Sequence, residues 1–477
     1  VIHPECSAVP RASIHTTQFH IVYNSLRMVD TSRSFTADRH CFLLRAVIRL
    51  FFWCCFTTAA AACSSMPASA IAGITVQDIE FSLFVNDRVH VLNCFYDSSE
   101  QNFSYDRTLH VLYLNPALSL SPAPHLRLFL EAEGQFTFDF TKDDDDSDID
   151  LRNAYIQAAL PALPWVNLSL GQQSLSTMDG LVYDDESPCA RLNVDFERGF
   201  SFPVKIDALV TEIEDRSPYW NVELKYCYSL LHSIRLWYGY FRDYENSVAR
   251  IFNYLDQQRR FTSRSKVHWT GLSLNTFIGN ALVKTTAVIE QGRARLRKKG
   301  ESTQTITIRG YALDITGEYS VHPVCSLGLF FYLASGDSNP QQGVLKSFLA
   351  IDPYIDKTNI YFNGGIDSQF SSDNVGLGGA QPAGVIAPGI FFNFRIRDTV
   401  FIKYVLAHLL THRHSQGEGR TYGWESDITG YYMITKNIHL FSEINVLTPG
   451  SYFKRLTESR ERVANEIIFG INYLFSN

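Results

Sequence analysis

His408, His412 and His414 form the densest histidine group in the chain and are the first place to look for a metal site. Their neighbourhood supplies no Asp or Glu at a fixed spacing, so the group reads as a polar rim, and no metal ligands are assigned. The run Asp143-Asp-Asp-Asp146 with Asp148 and Asp150 is dense in carboxylate but lacks the glycine and distal glutamate of a calcium loop. Repulsion within it predicts a solvated acidic loop. Gly376-Leu-Gly-Gly379 could approach a phosphate, yet no strand-to-helix crossover follows, which removes a nucleotide site. Serines are plentiful without a G-x-S-x-G elbow, and no catalytic residue or cofactor is assigned. What remains are cations and acids placed at every second residue.

That spacing belongs to strands. Leu126-Arg-Leu-Phe-Leu-Glu-Ala-Glu133 puts Leu126, Leu128, Leu130 and Ala132 on one side and Arg127, Phe129, Glu131 and Glu133 on the other. The same period returns in Val204–Val210, Trp220–Tyr226 and Phe392–Arg397, as in a sheet with unlike solvents on its two sides. Residues 40–70 read as a secretory signal peptide: Arg45 and Arg49, then Leu50-Phe-Phe-Trp-Cys-Cys-Phe56, an alanine run, and Ala68-Ser-Ala70 for cleavage before Ile71. Residues 1–39 then form an upstream or non-native extension, with Met28 a credible start, and residues 71–477 carry the fold. Beyond residue 70 there is no run of 18 apolar residues, so any membrane crossing must use strands. Aromatic residues make up 13% of the chain, which suits rings at both membrane interfaces.

Charge narrows the partners. The whole chain has 42 basic and 49 acidic residues; residues 1–70 hold 6 and 3 of these, which leaves 36 against 46, a net charge of -10. Nucleic acid is excluded as a partner on that balance. Cys94, Cys189, Cys227 and Cys325 lie beyond the leader without zinc spacing and are expected to pack singly.

Strand candidates recur from about residue 76 to the end, and the length suits 18 strands at about 23 residues each. Their connections alternate. Ser121–Pro124, Leu160–Pro164 and Thr435–Asn437 are tight, whereas 143–150, 243–266, 336–388 and 412–420 are long or polar. The expected fold is all-β: a single closed antiparallel transmembrane barrel with short periplasmic turns and long extracellular loops. Loop 336–388 is expected to narrow or cover its lumen.

Asn153-Ala-Tyr-Ile156, the stretch Leu160-Pro-Ala-Leu-Pro-Trp-Val-Asn-Leu-Ser-Leu-Gly-Gln-Gln-Ser-Leu175 and Asp179-Gly180 resemble segments of the alginate-export (AlgE-like) family of bacterial outer-membrane β-barrel porins. So do Ala334-Ser-Gly-Asp337 with Lys346-Ser-Phe348, and Leu447-Thr-Pro-Gly-Ser-Tyr-Phe453, in the same order along the chain. The resemblance implies an 18-stranded barrel passing a polyanionic saccharide through an arginine-lined pore. Gln172 and Gln173 stand where the family has arginine, and Asp184-Asp-Glu186 where it often has an arginine pair. Small polar or anionic solutes, saccharides or uronates are therefore expected rather than long alginate chains.

The residues expected to line the pore are Arg127, Glu131, Lys205, Asp207, Glu223, Lys225, Arg235, Arg309, Arg395 and Arg397. Cations there can bind hydroxyls and carboxylates, while neighbouring acids keep them from becoming traps. Arg309, Arg395 and Arg397 are expected to act together in selecting anions. Expected partners are outer-membrane lipid and lipopolysaccharide, the barrel-assembly machinery and the solutes, in the outer membrane of a Gram-negative bacterium. Ile467, Phe469, Ile471, Tyr473 and Phe475 would form the lipid face of the closing strand. A barrel without an open pore, structural or adhesive, and a secreted all-β polysaccharide-active enzyme are the alternatives.

Overall fold

The computed structural model describes residues 79–97, 102–141, 144–213, 217–229, 231–244, 248, 261–298, 302–339, 343–362, 376–377, 383–413, 419–453 and 463–476. The expected leader, the upstream extension, Asp143, His414 and most of the glycine-rich centre of loop 336–388 lie outside them.

The strands follow one another as antiparallel hairpins. They are β1 (Ile79–Asp97), β2 (Asn102–Ala123), β3 (Leu126–Asp139), β4 (Asp144–Leu160), β5 (Leu163–Thr177), β6 (Tyr183–Asp195) and β7 (Val204–Ile213). Next come β8 (Ser217–Ser229), β9 (His232–Asp243), β10 (Phe261–Ile278), β11 (Ala281–Lys298), β12 (Gln304–His322) and β13 (Cys325–Ala334). Three two-residue strands follow, β14 (Val344–Leu345), β15 (Leu349–Ala350) and β16 (Gly376–Leu377). The chain then returns to the wall with β17 (Val385–Arg397), β18 (Val400–Thr411), β19 (Thr421–Thr435), β20 (Ile438–Pro449) and β21 (Ala464–Ser476).

Strand β13 pairs with β17, and β1 pairs with β21 over Ser82↔Ser476 to Asn93↔Asn465, so the 18 long strands close on themselves. Closure leaves no unpaired sheet edge, the condition for a sheet to survive in lipid. Strand β14 is an extra, parallel to β12 through Thr307↔Val344 and Ile308↔Leu345.

The turns 124–125, 161–162, 279–280, 323–324, 398–399 and 436–437 sit at the end of the barrel that also holds Ile79 and Ser476. The longer connections gather at the other end. Around the wall, Trp220, Val222, Leu236, Leu272, Ile289, Leu329, Ile444 and Phe469 are exposed large apolar side chains on the outward parity of their strands. Such a belt is what lipid solvates.

Several expected boundaries shift. Residues 303–315 and 317–321 form one strand, because Gly317 sits in open space within β12 and does not break it. The acidic run 144–150 extends β4 instead of forming a loop, its carboxylates exposed from Asp145 to Asp150.

Candidate functional site

The barrel is not an empty tube. Two segments fold inward from its long-loop end, and their apolar side chains carry them there. The first is the turn 178–182 between β5 and β6, where Met178 and Asp179 have φ of 53° and 58° and Gly180 has 82°. Met178, Leu181 and Val182 are buried. The second is 343–362, in which Leu345, Phe348, Leu349, Ile351, Ile355, Ile360 and Tyr361 are almost wholly buried.

Both segments pack on inward residues of the wall, among them Tyr219, Trp237, Phe241, Trp269 and Ile308. They also meet each other: Ile351 N–H donates to Val182 O at 2.7 Å and Tyr354 N–H to Gly180 O at 2.9 Å. The result is one transverse layer, held by hydrophobic burial in a region where the sequence pattern had suggested water.

Polar anchors fix the layer to the wall. Trp269 Nε1 donates to Leu349 O at 2.9 Å, and Leu349 N–H donates to the Glu290 carboxylate at 2.9 Å. Farther round, Glu425 accepts from Thr358 Oγ1 at 2.7 Å, from Tyr361 N–H at 3.0 Å and from Ile360 N–H. Asn359 reaches Glu443 at 3.1 Å and Asn445 at 2.9 Å. Lys357 binds Asp314 at 2.7 Å and Thr316 at 3.1 Å. Each buried carboxylate thus meets donors from the inserted chain, which offsets the cost of removing it from water. The layer runs as a chord from β10–β12 to β19–β20.

The remaining interior wall is polar. Asn86 donates to Asn472 at 2.6 Å across the closing seam, and His90 lies 3.4 Å from Glu466. Arg127 donates to Ser119 at 2.9 Å and stands 5.4 Å from the Phe129 ring, with Glu131 farther along the same face, accepting from Asn153 at 2.7 Å. Arg191 holds Asp207 through two nitrogens, at 2.9 and 2.6 Å. A recess of about 210 Å³ is lined by Tyr155, Gln157, Asn167, Ser169, Gln173, Arg191 and Asn193.

Lys205, Lys225 and Arg235 are cross-strand neighbours in one row, with Asp207 and Glu223 paired in the adjacent row. Lys205 is neutralised by Asp195 at 2.8 Å and Arg235 by Asp179 at 2.5 Å, while Glu223 accepts from Trp237 Nε1. Lys225 has no ion pair among the described residues. Arg395 shares the parity of Asn393, whose side chain binds Glu318 and Ser326 inside the barrel, whereas a register shift after Arg395 pairs Arg397 with Val400, on the face of the exposed Tyr432, and both arginines are exposed beside the 398–399 turn.

Arg309 corrects the expected set. It alternates with Ile308 and Gly310, which face the inserted layer, so its own side chain points outward. It also lies toward the long-loop end, paired with Gln291, whereas Arg395 and Arg397 lie at the short-turn end. The three arginines are not one cluster.

Arg152 was missed by alternation. A bulge between Glu131 and Ala132 on the partner strand leaves Arg152 as an extra residue, and it joins Glu133 at 2.8 Å to Glu186. No strong local signal for the bulge precedes it. The histidines divide: His408 stacks on Trp424 with centroids 4.1 Å apart, and His412 binds Gly336 and Tyr311. The four described cysteines are free.

These features define a closed 18-stranded transmembrane β-barrel with segments folded into its lumen. OccK5 (OpdH) of Pseudomonas aeruginosa has a similar structure, with a TM-score of 0.52 at 13% identity over 84% of this chain and 99% of that one. OpdQ of the same organism gives 0.51 at 14% identity over 84% and 100%. The P. aeruginosa outer membrane protein OpdK, solved with vanillate, gives 0.50 at 10% identity over 85% and 100%. At such identities the shared property is the fold. No protein-family model and no curated protein matches the chain.

Proposed function

We propose that the chain is a passive channel in the outer membrane of a Gram-negative bacterium, conducting small polar or anionic solutes, with uronates and other small carboxylates preferred. The observation that carries this reading is the unpaired positive charge on the inward face of a closed barrel narrowed by a transverse layer. Lys225 and Arg395 offer donors to a passing carboxylate without a fixed acid to satisfy them, while Asp207 and Glu223 in the row next to Lys225 limit how tightly it is held there. The vanillate in the OpdK structure is a small carboxylate, and the alginate-export resemblance points to sugar acids; both belong to the same chemical class. Neither catalysis nor a cofactor enters this reading.

Liposome swelling tests it directly. Proteoliposomes should swell faster in glucuronate or vanillate than in a neutral sugar of similar size, and empty liposomes should not. Absence of swelling in every solute would refute a channel and favour a closed structural barrel. Equal rates for charged and neutral solutes would refute the preference alone.

A further inference from the structure

The outward face of β9–β12 departs from the apolar belt at its long-loop end. Arg242 pairs with Lys266 and Lys266 with Arg293, giving one row of three cations across three strands. In the next row outward Arg264 pairs directly with Arg295, and beyond it Arg297 pairs with Thr262. Their exposed side chains alternate with the buried Ser263, Ser265, Val267, Ala294 and Leu296, so all of them project away from the barrel. Arg309 adds a further cation one row below. None of these residues has an ion pair among the described residues.

Like charges directly opposite each other on adjacent strands destabilise a sheet. Here three such pairs, Arg242 with Lys266, Lys266 with Arg293 and Arg264 with Arg295, stand side by side with no acid between them. An anion lying against both rows would offset that repulsion. The level of the patch says where that anion comes from. Immediately below the cations lie Tyr240, His268 and Gln291, then Tyr238, Thr270, Ile289 and Tyr311, then Leu236 and Leu272. Aromatic side chains over aliphatic ones mark the interface of the lipid layer, and the cations stand one step above it, at headgroup height.

We infer that this face binds the phosphates of the outer-leaflet glycolipid, with the acyl chains lying along the aliphatic rows below. Guanidinium groups suit the task because they bind phosphate oxygens bidentately. The inference rests on the outer-membrane placement proposed above but not on any solute conducted. It also gives Arg309 a role on the opposite surface from the pore.

The test uses the full chain in detergent micelles, with bisphosphorylated lipid A, the same lipid A with both phosphates removed, and inorganic phosphate as probes. Bisphosphorylated lipid A should bind and raise the temperature at which the folded barrel is lost, while the other two should not. The variant Arg264→Gln with Arg295→Gln should bind it at least tenfold more weakly, with unchanged swelling rates in liposomes. Equal binding of the dephosphorylated lipid, or full retention by the variant, would overturn the inference. Should the variant fail to fold, the comparison of probes on the unaltered chain still decides. Binding without swelling would refute the channel and leave this site standing.

Discussion

Arg235 on β9 and Asp179 in the inserted turn are 2.5 Å apart, so the barrel wall neutralises one of its own cations with a residue from the transverse layer. Thr286 of β11 holds the other oxygen of Asp179 at 2.6 Å, and the Arg235 guanidinium stands 4.8 Å from the Trp237 ring. A segment can thus set lumenal charge as well as width.

Asp179→Asn should free Arg235 and move the reversal potential in a salt gradient toward anion preference. Both partners remain about a quarter exposed, so the stability lost should be small, about 1 kcal/mol. Arg235→Gln should remove the cation and show no such gain. Equal reversal potentials for the two variants would mean that this pair does not govern selectivity.

Arg395 and Arg397 stand at the short-turn mouth, where they have no carboxylate partner among the described residues. Changing both to Gln should shift the reversal potential toward cations. Arg309→Gln should leave it unchanged, because that side chain is outside the barrel. A response to Arg309→Gln as large as to the double change would contradict the assigned facing.

The strands were legible because alternation, short turns and long loops repeat around the wall, and β21 keeps its outward parity of Ile467, Phe469 and Phe475. The facing of Arg309 was not legible, and the reason is physical. In Thr305-Ile-Thr-Ile-Arg309 a lumenal Arg309 would put the apolar residues against lipid, but Ile306 and Ile308 pack on an inserted segment, which reverses the usual meaning of the pattern. The same inversion occurs in Ser265-Lys-Val-His-Trp269, where Lys266 is outward and Trp269 is fully buried. Alternation reports two unlike environments without saying which is inside. Arg152 escaped for another reason, since one bulge residue shifts the parity of all that follow.

Gly310 gives a test of how tightly the layer is seated. A Cβ there would lie 2.4 Å from Glu290 Oε2 and 2.8 Å from Phe348 Cα. The second contact is with backbone, so the inserted chain must move and weaken the Leu349–Glu290 hydrogen bond. Gly310→Ala should cost about 1–3 kcal/mol, read as a lower temperature for loss of the fast-migrating folded band. Gly317→Ala on the same strand has open space and should show no comparable loss. Equal behaviour of the two would place the inserted segment farther from the wall.

His412 ties the start of the inserted chain to the rim, and it should make that tie sensitive to acid. It lies just beyond β18, with Nδ1 accepting from Gly336 N–H at 3.0 Å and Nε2 3.0 Å from the Tyr311 hydroxyl. Gly336 cannot be replaced easily as the donor position, because a Cβ there would be 1.8 Å from Ala383 O where the two ends of the loop meet. Burial holds the imidazole below its ordinary pKa of 6.5, and the charge of Arg413 lowers it further. The folded state therefore favours neutral His412. As pH falls below 6.5 the unfolded chain takes up the proton first, so stability is lost until the folded imidazole protonates as well; above 6.5 the contribution is complete and flat. Protonation also puts a hydrogen on Nδ1, opposing the Gly336 donor. Interior carboxylates titrate too, so the informative quantity is the difference between the wild type and His412→Gln. Unfolding temperature measured from about pH 7 to 5 should fall more steeply for the wild type. Parallel curves would show that His412 does not couple the rim to protonation.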